Sequence, residues 1–93
     1  MIKSFRDANA KALFEQQDVP KLRHIERAAR RKLEALDAAR QLGDLAAARG
    51  NYLEALKGNR LGQYSIRINR QYRICFVWQK GDASHVEIID YHR

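Results

Sequence analysis

Two hydrophobic rhythms divide the chain. Between residues 7 and 41 apolar side chains recur every three or four positions, and from residue 64 onward they recur every second one. The first spacing lines one face of a helix and the second lines one face of a strand. Ala10, Leu13 and Phe14 predict a helix over residues 7–17, capped at its start by Asp7. Asp18-Val19-Pro20 breaks that helix and starts another, since proline is tolerated in a first turn. The second helix is predicted over 20–41, with Leu22, Ile25, Ala29, Leu33 and Leu36 as its buried stripe. Gly43 ends it, with Asp44 beyond. Ahead of both, residues 2–5 fit a short strand.

The second half reads as hairpins. Gly50-Asn51, Gly58-Asn59 and Gly62 punctuate residues 44–63, and residues 52–57 read as a short strand or extended segment. Over 64–69, Tyr64, Ile66 and Ile68 take one face while Ser65, Arg67 and Asn69 take the other. Residues 69–71 form a hairpin turn. In the next strand Ile74, Phe76 and Trp78 oppose Arg73, Cys75 and Val77. Gly81-Asp82 makes a second turn, and 86–92 is the last strand. This order predicts an α+β fold, with two N-terminal helices packed on one face of a small antiparallel sheet. The apolar faces meet the helices. Ser65, Arg67, Asn69 and Arg73 are expected on the other face, exposed and positive. Asp90 and His92 stand two apart on a strand and so point the same way. With Arg67 and Arg73 they are expected to share one surface, which is hardware for binding a phosphate and moving a proton.

Composition narrows the partners. The 93 residues make one domain, 1–93, and 45% hydrophobic content is that of a globular chain. Eighteen Lys and Arg against 11 Asp and Glu give a net charge of +7, which favours an anionic partner, nucleic acid first. The basic helix carries no Trp or Phe on its apolar side, and no run of about 18 apolar residues occurs, so a membrane is not the expected partner. No signal-peptide pattern opens the chain, and a cytoplasmic location is expected. Cys75, alone and inside an apolar strand, reads as a small buried hydrophobe. His24 and His85 have no partner at ligand spacing, so neither metal nor cofactor is expected. The run Lys21, Arg23, Arg27, Arg30, Arg31 and Lys32, interleaved with Glu26 and Glu34, reads as a solvated helix face; service to a partner is the alternative.

Longer motifs point further. Leu56-Lys57-Gly58-Asn59-Arg60, then Gly62-Gln63-Tyr64-Ser65-Ile66-Arg67-Ile68-Asn69 and Gln71-Tyr72-Arg73-Ile74-Cys75-Phe76, resemble the HigB toxins, a branch of the RelE/ParE superfamily of type II toxin–antitoxin systems. The opening Met1-Ile2-Lys3-Ser4-Phe5 and the ending Val86-Glu87-Ile88-Ile89-Asp90-Tyr91-His92 match as well, so the resemblance covers essentially the whole chain. It implies the microbial-ribonuclease-like fold of RelE and ParE. It also implies an endonuclease that cuts mRNA in the ribosomal A site by 2′-hydroxyl attack on the adjacent phosphate, without a metal, inhibiting translation. The partners it implies are the ribosome, mRNA and a HigA-like helix-turn-helix antitoxin. Residue by residue, the family's site falls on Lys57, Arg73, Asp90 and His92, with Tyr91 between the last two; Arg60, Arg67, Asn69 and Arg70 lie in a basic region that would hold the RNA backbone.

In that scheme Arg73 and Lys57 stabilise the crowded phosphate of the transition state. His92 handles a proton, and Asp90 accepts from the 2′-hydroxyl or orients His92; which of the two is the base stays open. Tyr91 packs at the sheet edge or stacks on a base. Two departures stand out: relatives often carry Arg where this chain has Val77, which removes one phosphate contact, and residues 50–55 match only loosely. A ParE-like non-enzymatic inhibitor of DNA gyrase and a plain RNA-binding module are the competing readings. The joint presence of Lys57, Arg73, Asp90 and His92 favours the nuclease.

Overall fold

The computed structural model describes residues 1–91, so that His92 and Arg93 lie outside the described residues. Asp7 starts the first helix: its Oδ1 accepts the Asn9 N–H at 2.9 Å, and α1 spans Ala8–Phe14. Its other oxygen accepts the Ile88 N–H at 3.1 Å, so the cap also fastens the helix to the sheet. At the far end of α1, Arg30 donates to the carbonyls of Leu13 and Gln17 and pairs with Glu26. Carbonyls at a helix end lack partners inside the helix. Arg30 is therefore a tie between helices and not part of a solvated face.

The single helix expected over 20–41 is two pieces, and a further helix that was not expected follows it. Pro20–Ile25 is a 3-10 helix, α2 spans Glu26–Ala38 and α3 spans Leu42–Ala46. Asp44 accounts for the second break. Its carboxylate accepts the N–H groups of Arg40 and Gln41 at 2.9 and 3.2 Å, while the Gln41 side chain accepts from the backbone of Asp44. This reciprocal cap starts a new helix just where the chain was expected to leave one. The bonds from the Arg40 and Gln41 backbone also hold the Asp44 carboxyl below its ordinary pKa. Gly43 thus sits inside α3 and ends nothing. The predicted stripe survives the breaks, with Leu22, Ile25, Ala29, Leu33 and Leu36 all buried.

Four antiparallel strands follow in the order β1-β2-β3-β4: Glu54–Ala55, Gln63–Arg67, Tyr72–Gln79 and Asp82–Asp90. The N-terminal residues add isolated parallel bridges to β4, Ile2 with Ala83 and Phe5 with Val86. The helices cover one face of the sheet, where Leu13, Leu33 and Leu36 meet Ile66, Ile74, Phe76 and Val86, all fully buried. Ala83 and Val86 are both buried although strict alternation would put them on opposite faces. The register slips by one residue between Cys75 and Val77, and His85 opposite takes a left-handed φ of 53°. This bulge turns β4 over and returns Val86 to the core.

Candidate active site

Directly opposed residues on paired strands share a face of the sheet. Arg67 opposes Arg73, Ser65 opposes both Glu54 and Cys75, and Arg73 opposes Ile89. The face away from the helices therefore carries Glu54, Ser65, Arg67, Arg73, Cys75 and Ile89, with Glu87 and Tyr91 in alternation. That face is less open than its pattern predicts. Ser65 and Cys75 are fully buried, and the Arg73 side chain is only 11% exposed.

Arg73 is the hub. Its Nε donates to Ser65 Oγ at 2.8 Å, and its Nη2 donates to the carbonyls of Tyr52 and Ser65. Glu54 Oε1 lies 3.5 Å from Nη2, and the guanidinium sits 5.7 Å from the centre of the Tyr91 ring. The strand that follows α3 is delivered by Asn51, which is buried and donates to the Leu45 carbonyl at 2.9 Å while accepting from Lys32. Burial at that contact pulls the Lys32 ammonium below its usual pKa, so Lys32 too leaves the solvated face assigned to it. Tyr52 then turns the chain through a left-handed φ of 44°. That conformation presents its carbonyl to Arg73.

A cavity of about 230 Å³ opens beside this hub, lined by Arg67, Asn69, Arg70, Arg73 and Tyr91. Asn69 Oδ1 accepts the N–H groups of Gln71 and Tyr72 at 2.9 and 2.8 Å, which fixes the turn from β2 to β3 and the wall it forms. Three guanidinium groups on one small cavity repel one another, and an anion placed there relieves the repulsion.

Two expected site residues, Asp90 and Arg60, are placed differently. Asp90 opposes Tyr72, so it falls on the helix side of the sheet, away from Arg73. It lines a separate cavity of about 250 Å³ with Asp7, Asn9, Lys21, Leu22, Tyr72 and Ile88, and it accepts from Gln71 Nε2 at 3.0 Å. The shared surface expected of Arg67, Arg73 and Asp90 is thus split by strand register. His92 lies outside the described residues. Arg60, expected on the RNA backbone, bonds Glu87 at 2.9 Å and Gln63 at 3.1 Å, and Glu87 also reaches Arg6 at 3.8 Å. The Glu87 carboxylate holds the Arg60 guanidinium above its ordinary pKa, and the pair straps the turn Gly58–Arg60 to β4. Lys57 is exposed immediately before that turn.

Ser65, expected to be exposed, instead braces Arg73 from within. Burial pushes the Cys75 thiol up to about 11, which leaves it unreactive near neutral pH. Val77 stands on β3 opposite Gln63 and Ser84. Glu54 and Tyr52 were not singled out by sequence. The pairing of Glu54 with Ser65 is what puts a carboxylate at the hub, and nothing in the alternation of so short a strand announces it. Among the described residues no cluster of His, Cys, Asp and Glu is arranged to hold a metal, and no helix is long and apolar enough to cross a membrane.

Comparison with known proteins agrees with this architecture. Residues 3–92 match the family described as the RelE-like toxin of type II toxin-antitoxin system HigB. Toxin HigB-1 of Vibrio cholerae is 52% identical over 59 residues, which cover 63% of this chain and 62% of that relative. Endoribonuclease HigB of Proteus vulgaris is 37% identical over 101 residues, covering 99% of this chain and 100% of the relative. A chain of the heterotetrameric YoeB–YefM toxin–antitoxin complex of Staphylococcus aureus shares the fold, with a TM-score of 0.63 at 20% identity over 100% of this chain and 97% of that one. Matched almost from end to end, the chain belongs to the HigB-like family of RelE-like toxins of type II toxin–antitoxin systems.

Proposed function

We propose that this toxin is an endoribonuclease that cuts mRNA in the ribosomal A site and so stops translation. The observation that carries the reading is the cavity where Arg67, Arg70 and Arg73 converge, with Glu54 3.5 Å from the Arg73 guanidinium. In the reaction a 2′-hydroxyl attacks the adjacent phosphorus, the bond from phosphorus to the 5′-oxygen breaks, and a 2′,3′-cyclic phosphate and a 5′-hydroxyl result. Negative charge builds on the phosphate oxygens in the transition state, and fixed cations in a poorly solvated site stabilise it. Arg73 fits that role because its neighbours hold it rigid and screen it from water. Among the described residues its bonds use Nε and Nη2, leaving Nη1 for a phosphate oxygen. Arg67 and Arg70 hold the flanking backbone, and Lys57 adds charge from the segment that also carries Glu54.

The proton steps divide between two groups. Of the carboxylates on the face of Arg73, Glu87 is taken up by Arg60, whereas the Glu54 side chain is 54% exposed, open to a 2′-hydroxyl. It accepts the proton of the nucleophile. His92 delivers a proton to the leaving 5′-oxygen. Asp90 acts as a positioning group: with Gln71, whose carbonyl accepts the Tyr91 N–H at 2.6 Å, it fastens the strand end that bears Tyr91. The scheme uses neither metal nor cofactor. As a member of this family the toxin has an antitoxin partner; the proposed partner is a HigA-like helix-turn-helix protein, and the proposed location is the cytoplasm, where ribosomes translate.

The test incubates the purified chain with mRNA, with and without translating ribosomes, maps the ends, and runs plasmid DNA with gyrase in parallel. Cuts confined to ribosome-bound mRNA are expected. Damage to gyrase with intact mRNA overturns the reading. In the same assay Glu54→Gln is expected to slow cleavage by about a hundredfold or more, the usual worth of a positioned base. Asp90→Asn keeps a partner for Gln71 and is expected to cost much less. The reverse ranking moves the base to Asp90.

A further inference from the structure

We infer that Tyr52 is a platform on which a base of the bound RNA stacks, next to the phosphate held in the arginine cavity; the inference rests on the endoribonuclease reading above. Tyr52 is 59% exposed, one of the few large apolar side chains turned to solvent. The Arg67 guanidinium lies over its ring, 5.1 Å from the centroid, and Arg67 is itself a wall of the cavity. Its carbonyl accepts from Arg73, the other wall. The ring is therefore fastened to the site at both ends of the residue, through its π face and through its backbone.

The backbone adds a second, independent observation. Tyr52 has φ 44° and ψ 55°, a left-handed conformation that Gly or Asn adopts with less strain than a bulky residue does. Strain of this kind gathers at sites where the surrounding structure holds a side chain for a purpose. A solvent-exposed cation–π pair contributes little to stability, so packing alone does not explain a tyrosine there. Single-stranded RNA supplies what the ring lacks. Every base has a π face, and an aromatic ring backed by arginine next to a cationic groove is the usual means of holding one. A short apolar ligand would not need the neighbouring arginines, and a bare phosphate would not need the ring.

Two substitutions separate ring from backbone. Tyr52→Asn removes the ring, suits the left-handed backbone and keeps the carbonyl that Arg73 uses. Tyr52→Phe keeps the ring and loses only the hydroxyl. KM and kcat are measured on ribosome-bound mRNA. Binding is measured on ribosomes programmed with an mRNA that carries 2-aminopurine in the A-site codon and 2′-deoxy sugars that block cleavage. Tyr52→Asn is expected to raise KM and weaken binding by roughly tenfold or more, as the loss of one stacked base does, with kcat close to that of the wild type. Tyr52→Phe is expected to behave as the wild type, and both are expected to quench 2-aminopurine more than Tyr52→Asn does.

The inference is overturned if Tyr52→Asn binds and quenches as the wild type does. It is overturned also if Tyr52→Asn lowers kcat at unchanged KM, or if Tyr52→Phe is as impaired as Tyr52→Asn. If the wild type leaves mRNA uncut, the endoribonuclease reading fails by itself, and the quenching of the non-cleavable mRNA still decides for or against Tyr52.

Discussion

Replacing Arg73 with alanine is expected to slow cleavage of ribosome-bound mRNA by about a hundredfold to a thousandfold, the typical loss when one donor to a developing oxyanion is removed. The magnitude follows from its setting. The side chain is 11% exposed, so water screens its charge poorly, and bonds to Ser65 and to the Tyr52 carbonyl fix its direction. The substitution also has a structural cost. Ser65 is fully buried and loses the donor to its Oγ, which leaves a buried polar group unsatisfied at about 1–3 kcal/mol. Arg73→Lys separates the two effects, since it keeps the charge and loses the planar fork. Both variants are assayed at a temperature where circular dichroism shows them folded. Cleavage by Arg73→Ala at the wild-type rate would remove the cavity from the mechanism.

The second large effect lies in the core. Phe76 is fully buried, with the Tyr64 and Trp78 rings each 6.2 Å from its own. Phe76→Ala is expected to destabilise the fold by about 3–5 kcal/mol, from lost burial and from the cavity left behind. A domain of this length has roughly 5–14 kcal/mol in total, so the variant stands near the limit of stability. Urea unfolding measures it as a fall in midpoint at unchanged slope. A loss below about 1 kcal/mol would mean that the sheet and helices do not pack around this ring as described.

Much of the fold was legible in the chain because burial imposes a period. The stripe from Leu22 to Leu36 names the face of α2 that meets the sheet, and the alternation of Ile74 and Phe76 names the face of β3 that meets the helices. What stayed hidden depends on partners distant in sequence. Asp44 looks like a residue past a helix end until its carboxylate is seen accepting from Arg40 and Gln41. Arg60 looks like a free cation until Glu87, on β4, claims it.

The site divides in the same way. Alternation puts Arg67, Asn69 and Arg73 on one face, and in the structure they line one cavity with Arg70 and with Tyr91, which the expected facing of Asp90 and His92 had put on the other side. The side of the sheet on which Asp90 falls was not legible, because alternation fixes that Asp90 and Ile89 lie on opposite faces but only the register with Tyr72 says which of them shares a face with Arg73. Glu54 was missed for a related reason. A strand as short as β1 has no readable period, and its position beside Arg73 comes entirely from its pairing with Ser65.

The central claim is that the arginine face of this sheet cuts RNA by using the RNA's own 2′-hydroxyl. The most direct test places a single 2′-deoxy nucleotide on the 5′ side of the mapped cut in ribosome-bound mRNA and analyses the products of the wild-type chain. A 2′,3′-cyclic phosphate is expected at the cut in all-ribose mRNA, and no cut where the hydroxyl is missing. Cleavage that continues at the deoxy position would contradict the claim.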